Sequence, residues 1–294
     1  MPTVRHTVSA AEAGRTVRSL ALKEMGLSRG LFSSLKFRGG ITLDGAPVHA
    51  DVRPGPGQVL CAQWEETGGG YVPAPVDANF AIAYQDEAFF VLDKPAPLPT
   101  LSSPRQGGAS LESALYARLG CPENYLFRPV NRLDKGTSGL LAAARDRNAQ
   151  QRLQRLLHTE DFVREYLAVC RGRPPRDAGT VDLPIAEGAG VRREIRPDGR
   201  RAVSHYRLEA EKNGLCLLRL RLETGRTHQI RVHMAALGCP VLGDYLYGEK
   251  DPRLPGRFAL HSCRLTFTHP FTGRKIDLCS PLPRALGALL AENK

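Results

Sequence analysis

Long apolar runs are missing from this 294-residue chain. No uninterrupted stretch approaches the roughly 20 residues that a helix needs to cross a bilayer. The opening Met-Pro-Thr-Val-Arg-His has no apolar signal core. The expectation is a cytoplasmic protein with no membrane segment. The seven cysteines (Cys61, Cys121, Cys170, Cys216, Cys239, Cys263 and Cys279) form no Cys-x-x-Cys pair. Their odd number and wide spacing argue against a disulfide framework and against a structural zinc site, and most are expected to be small buried hydrophobes. There is no Gly-x-Gly-x-x-Gly run, Walker-type loop, internal repeat or low-complexity tract. No cofactor and no metal are therefore expected.

Acidic residues are in short supply. Thirty Asp and Glu face 41 Lys and Arg, for a net charge of +11. The imbalance is local. Arg5, Arg15, Arg18, Lys23, Arg29, Lys36 and Arg38 are opposed only by Glu12 and Glu24. Residues 192–207 hold Arg192, Arg193, Arg196, Arg200, Arg201 and Arg207 against Glu194 and Asp198. Clustered arginine is the electrostatic footprint of a polyanion partner, although a solvated basic surface gives the same pattern. No Lys-rich amphipathic helix with aromatic anchors points to a lipid surface. Hydrophobic residues at 42% and charged residues at 24% are ordinary for a soluble globular chain. The length suits one main domain and a smaller one.

The clearest linker is residues 67–78, with three glycines and two prolines. It separates a small unit, residues 1–66, from a larger one, residues 79–294. In the small unit, Ala11–Lys23 and Ser28–Lys36 read as helices, the second with Ser28 as N-cap and Leu31 and Leu35 on one side. A strand, a turn at Asp44-Gly45, a second strand and another over Gln58–Gln63 follow. In the large unit, Phe80–Tyr84, Phe89–Leu92, Leu140–Ala144, Arg164–Cys170 (with alternating exposure) and Leu218–Leu222 read as strands. Leu111–Leu119, Asn148–His158 and Thr227–Leu237 read as helices. The fold class expected is α+β around a mixed, largely antiparallel sheet.

Two motifs carry chemistry. Residues 130–141 read Val-Asn-Arg-Leu-Asp-Lys-Gly-Thr-Ser-Gly-Leu-Leu. Asp134 lies between Arg132 and Lys135, and nearby cations favour an ionised carboxylate. Such a group can act as a nucleophile or stabilise a cationic sugar. The alternative is an ordinary surface ion pair. Residues 223–234 read Glu-Thr-Gly-Arg-Thr-His-Gln-Ile-Arg-Val-His-Met. A turn feeds a helix whose first turn is expected to hold Arg226, His228 and Gln229, with Arg231 one turn on, a setting that attracts anions. His228 and His233 are five apart, the wrong spacing for a shared zinc, and His233 reads as a hydrogen-bonded structural residue.

These motifs occur in order with Lys94-Pro95 before them, Arg164-Glu-Tyr-Leu-Ala-Val between them, and Gly243-Asp244 and Leu260-His261 after them. Together they resemble the RluA family of pseudouridine synthases over about residues 80–283. The two basic helices and the hairpin resemble the S4 RNA-binding domain over about residues 12–65. The first resemblance implies isomerisation of uridine in RNA to its C-glycoside, with ribosomal or transfer RNA as partner. It implies that Asp134 is the catalytic aspartate, that Tyr166 stacks on the target base and assists proton transfer, and that Arg231 pairs with Asp134. Arg132 matches a position near a flipped-out base. Lys135, Thr137, Arg226 and His228 complete the expected RNA contacts. Two positions depart from the family pattern: Asn131 stands where His is usual, and Pro97 stands where Lys-Pro-x-Gly is typical. A monomer is expected, because RNA would cover the basic face. The rival readings are a non-catalytic RNA-binding protein acting in ribosome assembly or RNA folding, and a carboxylate-dependent N-glycosidase acting on RNA.

Overall fold

The computed structural model describes residues 3–65, 72–103, 108–123 and 125–291. Residues 67–71 of the expected linker lie outside this set, and residues 72–80 contain neither helix nor strand. The first elements are β1 (Thr3–Thr7), α1 (Val17–Lys23), α2 (Arg29–Phe37), β2 (Ile41–Leu43), β3 (Ala46–Pro47) and β4 (Val59–Gln63). The strands form a four-stranded antiparallel sheet in the order β1-β4-β2-β3. Ser28 caps α2 by accepting from Leu31 N at 2.8 Å, and Leu31, Phe32 and Leu35 pack with Val17, Leu20, Leu60 and Trp64. The expected helix over Ala11–Lys23 is shortened. Gly14 turns at φ +82°, and Thr16 starts α1 by accepting from Ser19 N at 3.2 Å.

The remaining elements are β5 (Ala81–Gln85), β6 (Phe89–Lys94), α3 (Leu111–Arg118), β7 (Arg128–Pro129), β8 (Ser138–Ala144), α4 (Arg147–Leu156) and β9 (Val163–Arg171), followed by β10 (Ala178–Asp182), β11 (Ile185–Glu187), β12 (Arg193–Ile195), β13 (Val203–Lys212), β14 (Leu215–Leu222), α5 (Gln229–Ala236), β15 (Leu260–Thr268), β16 (Lys275–Cys279) and α6 (Arg284–Ala291). The large sheet runs β10-β13-β14-β9-β15-β8-β6-β5, with β16 on β15 and β7 on β8. Its pairings are antiparallel except for β15 with β8. This is the mixed, largely antiparallel α+β fold the sequence suggested.

Strand β8 is buried along its whole length because both faces of the sheet are covered. Leu141 and Ala143 join one core, which includes Leu92, Tyr166, Leu220 and Met234. Leu140, Ala142 and Ala144 join the other, with Phe89, Leu153, Phe162 and Phe267. The same coverage corrects the reading of β9. Alternation holds from Val163 to Tyr166, but Leu167–Cys170 is buried throughout. Cys170, Cys216, Cys239 and Cys263 are buried free thiols, whereas Cys121 and Cys279 are exposed. Among the described residues no helix is long and apolar enough to cross a membrane.

Candidate active site

The loop from Asn131 to Thr137 hangs between β7 and β8 and is pinned from both ends. Asn131 Oδ1 accepts from Ala142 N of β8 at 3.0 Å. Thr100 Oγ1 donates to Leu133 O at 2.7 Å, and Thr137 N donates to Asp134 O at 3.0 Å. Leu98 N, just after Pro97, donates to Lys135 O at 3.0 Å. The glycines set how closely this loop meets β15. At Gly139, φ is +105° and a Cβ would lie 2.2 Å from Ser262 O, so only glycine fits the approach of β8 to β15.

The loop presents Asp134 with 28% of its side chain exposed. Its partner comes from 97 residues away: Arg231 Nη1, on α5, donates to Asp134 Oδ2 at 3.0 Å. The flanking cations are not the partners. Arg132 and Lys135 are exposed, and among the described residues the ion pair of Asp134 goes to Arg231, with His228 Nε2 3.9 Å away. Arg231 is held from behind by Asp244, with Nε–Oδ2 2.6 Å and Nη2–Oδ1 2.9 Å. Both residues are buried. The guanidinium also lies against the rings of Phe258 (4.2 Å) and Tyr247 (5.1 Å). Burial opposes its charge, but the Asp244 and Asp134 carboxylates outweigh burial and raise its pKa.

Tyr166 enters from β9 and lines one small pocket with Arg132, Asp134, Thr137, His228 and Arg231. Burial raises the pKa of its phenol. The structure therefore brings Asp134, Tyr166 and Arg231 together. Two neighbouring clefts share Arg132 and Arg226 with this pocket, one reaching Lys135 and the other Arg164 and Arg201. Thr137 is buried at the pocket wall.

One expectation fails. Helix α5 begins at Gln229, so Arg226 and His228 precede it rather than fill its first turn. His228 sits at φ +59°. Its Nδ1 is 2.8 Å from Tyr247 Oη, and burial lowers its pKa. Gln229 organises the turn by accepting from Arg226 N at 2.9 Å and donating to Val203 O at 2.9 Å. Arg226 Nε donates to Arg201 O at 2.9 Å. His233 is enclosed between Ser204 Oγ (2.9 Å) and Leu183 O (3.0 Å).

Sequence reasoning gave no role to Lys94 or Asp244. Their signal lay in the Lys94-Pro95 and Gly243-Asp244 pairs. Lys94 is fully buried, and its ammonium donates to Leu98 O at 2.7 Å and Pro95 O at 3.1 Å. Burial pulls its pKa down to about 7, against the pull of Asp134. Among the described residues no group of three or more His, Cys, Asp or Glu could hold a metal ion.

A family model described as RNA pseudouridylate synthase matches residues 88–236. Ribosomal large subunit pseudouridine synthase D of Xanthomonas campestris is 40% identical over 237 residues, covering 74% of this chain and 70% of that protein. An uncharacterized RNA pseudouridine synthase of Bacillus subtilis is 34% identical over 277 residues, covering 91% of this chain and 95% of that one. Among solved structures, human RNA pseudouridylate synthase domain containing 4 is similar with a TM-score of 0.57 and 26% identity, covering 71% of this chain and 91% of that one.

Proposed function

The chain belongs to the RNA pseudouridylate synthase family, and from that premise we propose that it isomerises uridine in ribosomal RNA with Asp134 as the catalytic carboxylate. The observation that carries the assignment is the Asp134 carboxylate, partly open to the pocket that Tyr166 lines and oriented by Arg231 at 3.0 Å. The base of the target nucleotide must leave the RNA stack to reach it. Tyr166 lies over the extruded uracil, and Arg132 at the rim helps hold it out. The C1′–N1 bond breaks and a C1′–C5 bond forms. C5 loses its proton and N1 ends protonated, so no atom is gained or lost. Asp134 serves as the nucleophile at the sugar or as the base that takes a ribose proton, and Tyr166 assists the proton transfer. Lys135, Thr137, Arg226 and His228 contact the RNA around the pocket.

Ribosomal RNA is favoured over transfer RNA because relatives in the 40% identity range are named for the ribosomal large subunit. Residues 1–66 act as the S4-like RNA-binding unit, followed by a linker at 67–78 and the catalytic unit at 79–294. The supporting observation is the seven cations over the first 38 residues against two acids.

The test is tritium release from RNA labelled at uridine C5, taken from cells that lack this gene. The native chain should release tritium, and Asp134→Asn should abolish release while RNA affinity stays within a few-fold. Release by Asp134→Asn at the native rate would refute the assignment. Binding without release by the native chain would favour a non-catalytic RNA-binding protein, and free uracil in the products would favour an N-glycosidase.

A further inference from the structure

Arg164 is a buried cation that no acidic group neutralises among the described residues. It lies two residues before Tyr166 on β9, on the same face of the strand and roughly 7 Å along it. It is 5% exposed, and no hydrogen bond or ion pair engages its guanidinium among the described residues. Its Nε is enclosed without an acceptor. Arginine keeps its proton in proteins, so a buried guanidinium without a counter-ion is unfavourable until an anion arrives. Gly225 makes room for it: a Cβ there would lie 2.7 Å from Arg164 Nη1.

Arg164 lines a cleft of about 460 Å³ together with Asn131, Arg132, Tyr166, Arg201 and Arg226. That volume suits a nucleotide-sized ligand. Asn131 supplies a second unmatched donor: its Oδ1 is taken by Ala142 N, while its Nδ2 has no acceptor. Among the described residues the one acid lining the cleft, Glu223, is paired with His205 at 2.8 Å and Arg201 at 3.1 Å. Two unmatched donors in the wall and three arginines at the rim call for a ligand rich in anionic acceptors. Tyr166 lines both this cleft and the Asp134 pocket.

We propose that this cleft binds the RNA phosphodiester adjacent to the target uridine, with Arg164 and Asn131 donating from the wall and Arg132, Arg201 and Arg226 from the rim. The proposal rests on the reading of the Asp134 pocket as the uridine site. It gives Asn131, which departs from the family pattern, a role as a neutral donor to phosphate.

The test uses the full chain and a fluorescein-labelled, single-stranded RNA of 15 nucleotides, titrated by fluorescence polarisation across a range of KCl concentrations. Arg164→Gln should weaken binding roughly tenfold or more. It should also lower the slope of log affinity against log salt by about 0.7 to 1. Arg164→Lys should restore the slope and part of the affinity. Asn131→Ala should weaken binding a few-fold with the slope unchanged. Native affinity and slope in Arg164→Gln would overturn the proposal. Should Arg164→Gln fail to fold, Gly225→Val decides, since it displaces the guanidinium without removing its charge: weaker binding supports the site and unchanged binding refutes it. Tritium release by the native chain reads the catalytic assignment and this titration reads the phosphate site, so the two readings can fail separately.

Discussion

Asp244→Asn probes the geometry at its most constrained point. Asp244 is fully buried and meets Arg231 through both oxygens, at 2.6 and 2.9 Å. The same carboxylate accepts from Leu246 N at 3.0 Å. An amide in its place sets a donor against a guanidinium donor at one of the two contacts. Arg231, itself 2% exposed, then keeps only Asp134 as an anionic partner. Removing one member of a buried pair costs about 3–5 kcal/mol, which for a chain of this size lowers the melting temperature by roughly 5–8 °C. The guanidinium should also rotate away from its 3.0 Å bond to Asp134. Loss of one preorganised donor at a reacting group costs about a hundredfold in rate, or about 2.7 kcal/mol of barrier. The assay is single-turnover tritium release from uridine-labelled RNA, at a temperature where melting curves show the variant folded. A variant that melts early yet turns over at the native rate would refute the orienting role and leave Asp244 a purely structural residue.

Lys94→Met should flatten the pH dependence of stability. The folded pKa of about 7 lies below the ordinary 10.5, so the unfolded chain binds the extra proton between these values. This group's contribution is therefore complete above about pH 10 and lost as pH falls towards 7. Melting curves from pH 6 to 10 should rise less steeply in Lys94→Met, and identical slopes would refute the burial argument. Gly139→Ala places a methyl 2.2 Å from Ser262 O at a φ of +105°. Backbone strain together with the forced separation of β8 from β15 should cost roughly 3 kcal/mol or more. An unchanged melting temperature would show that the two strands can part without cost.

Local signals in the sequence carried the local structure. Ser28 and the Leu31–Leu35 spacing placed α2, and the apolar run Leu140–Ala144 placed β8, because a cap and a periodicity are properties of a few consecutive residues. The turn at Asp44-Gly45 is there for the same reason, with positive φ at both positions. The edge strand β1 has only a weak local signal. Thr-Val-Arg-His-Thr alternates only between half-buried and exposed and pairs with β4 alone. The start of α5 carries no such signal: its N-cap, His228, is left-handed and makes no capping bond, so the usual hydroxyl or carboxylate is missing. The site was legible as residue types but not as pairings. Asp134 sits beside two cations in sequence, yet its ion pair reaches 97 residues along the chain, and only the packing of α5 beneath the loop decides which cation it meets.

That choice of partner has a chemical consequence. Arg132 or Lys135, both exposed, would pair with Asp134 through solvent-screened contacts of little strength or fixed direction. Arg231 cannot move freely, because Asp244, Phe258 and Tyr247 fix three sides of its guanidinium. It also cannot fully neutralise Asp134, because its charge is already matched by Asp244 in the buried layer. One guanidinium shared by two carboxylates leaves the group net negative, with that charge on the only member open to the pocket. His228, its pKa lowered by burial, adds a dipole rather than a cation at neutral pH. Asp134 is thus oriented without being quenched, as the role proposed for it at the ribose would require. A lone surface ion pair would give neither property, and for that reason the site draws on three segments that are distant in the chain.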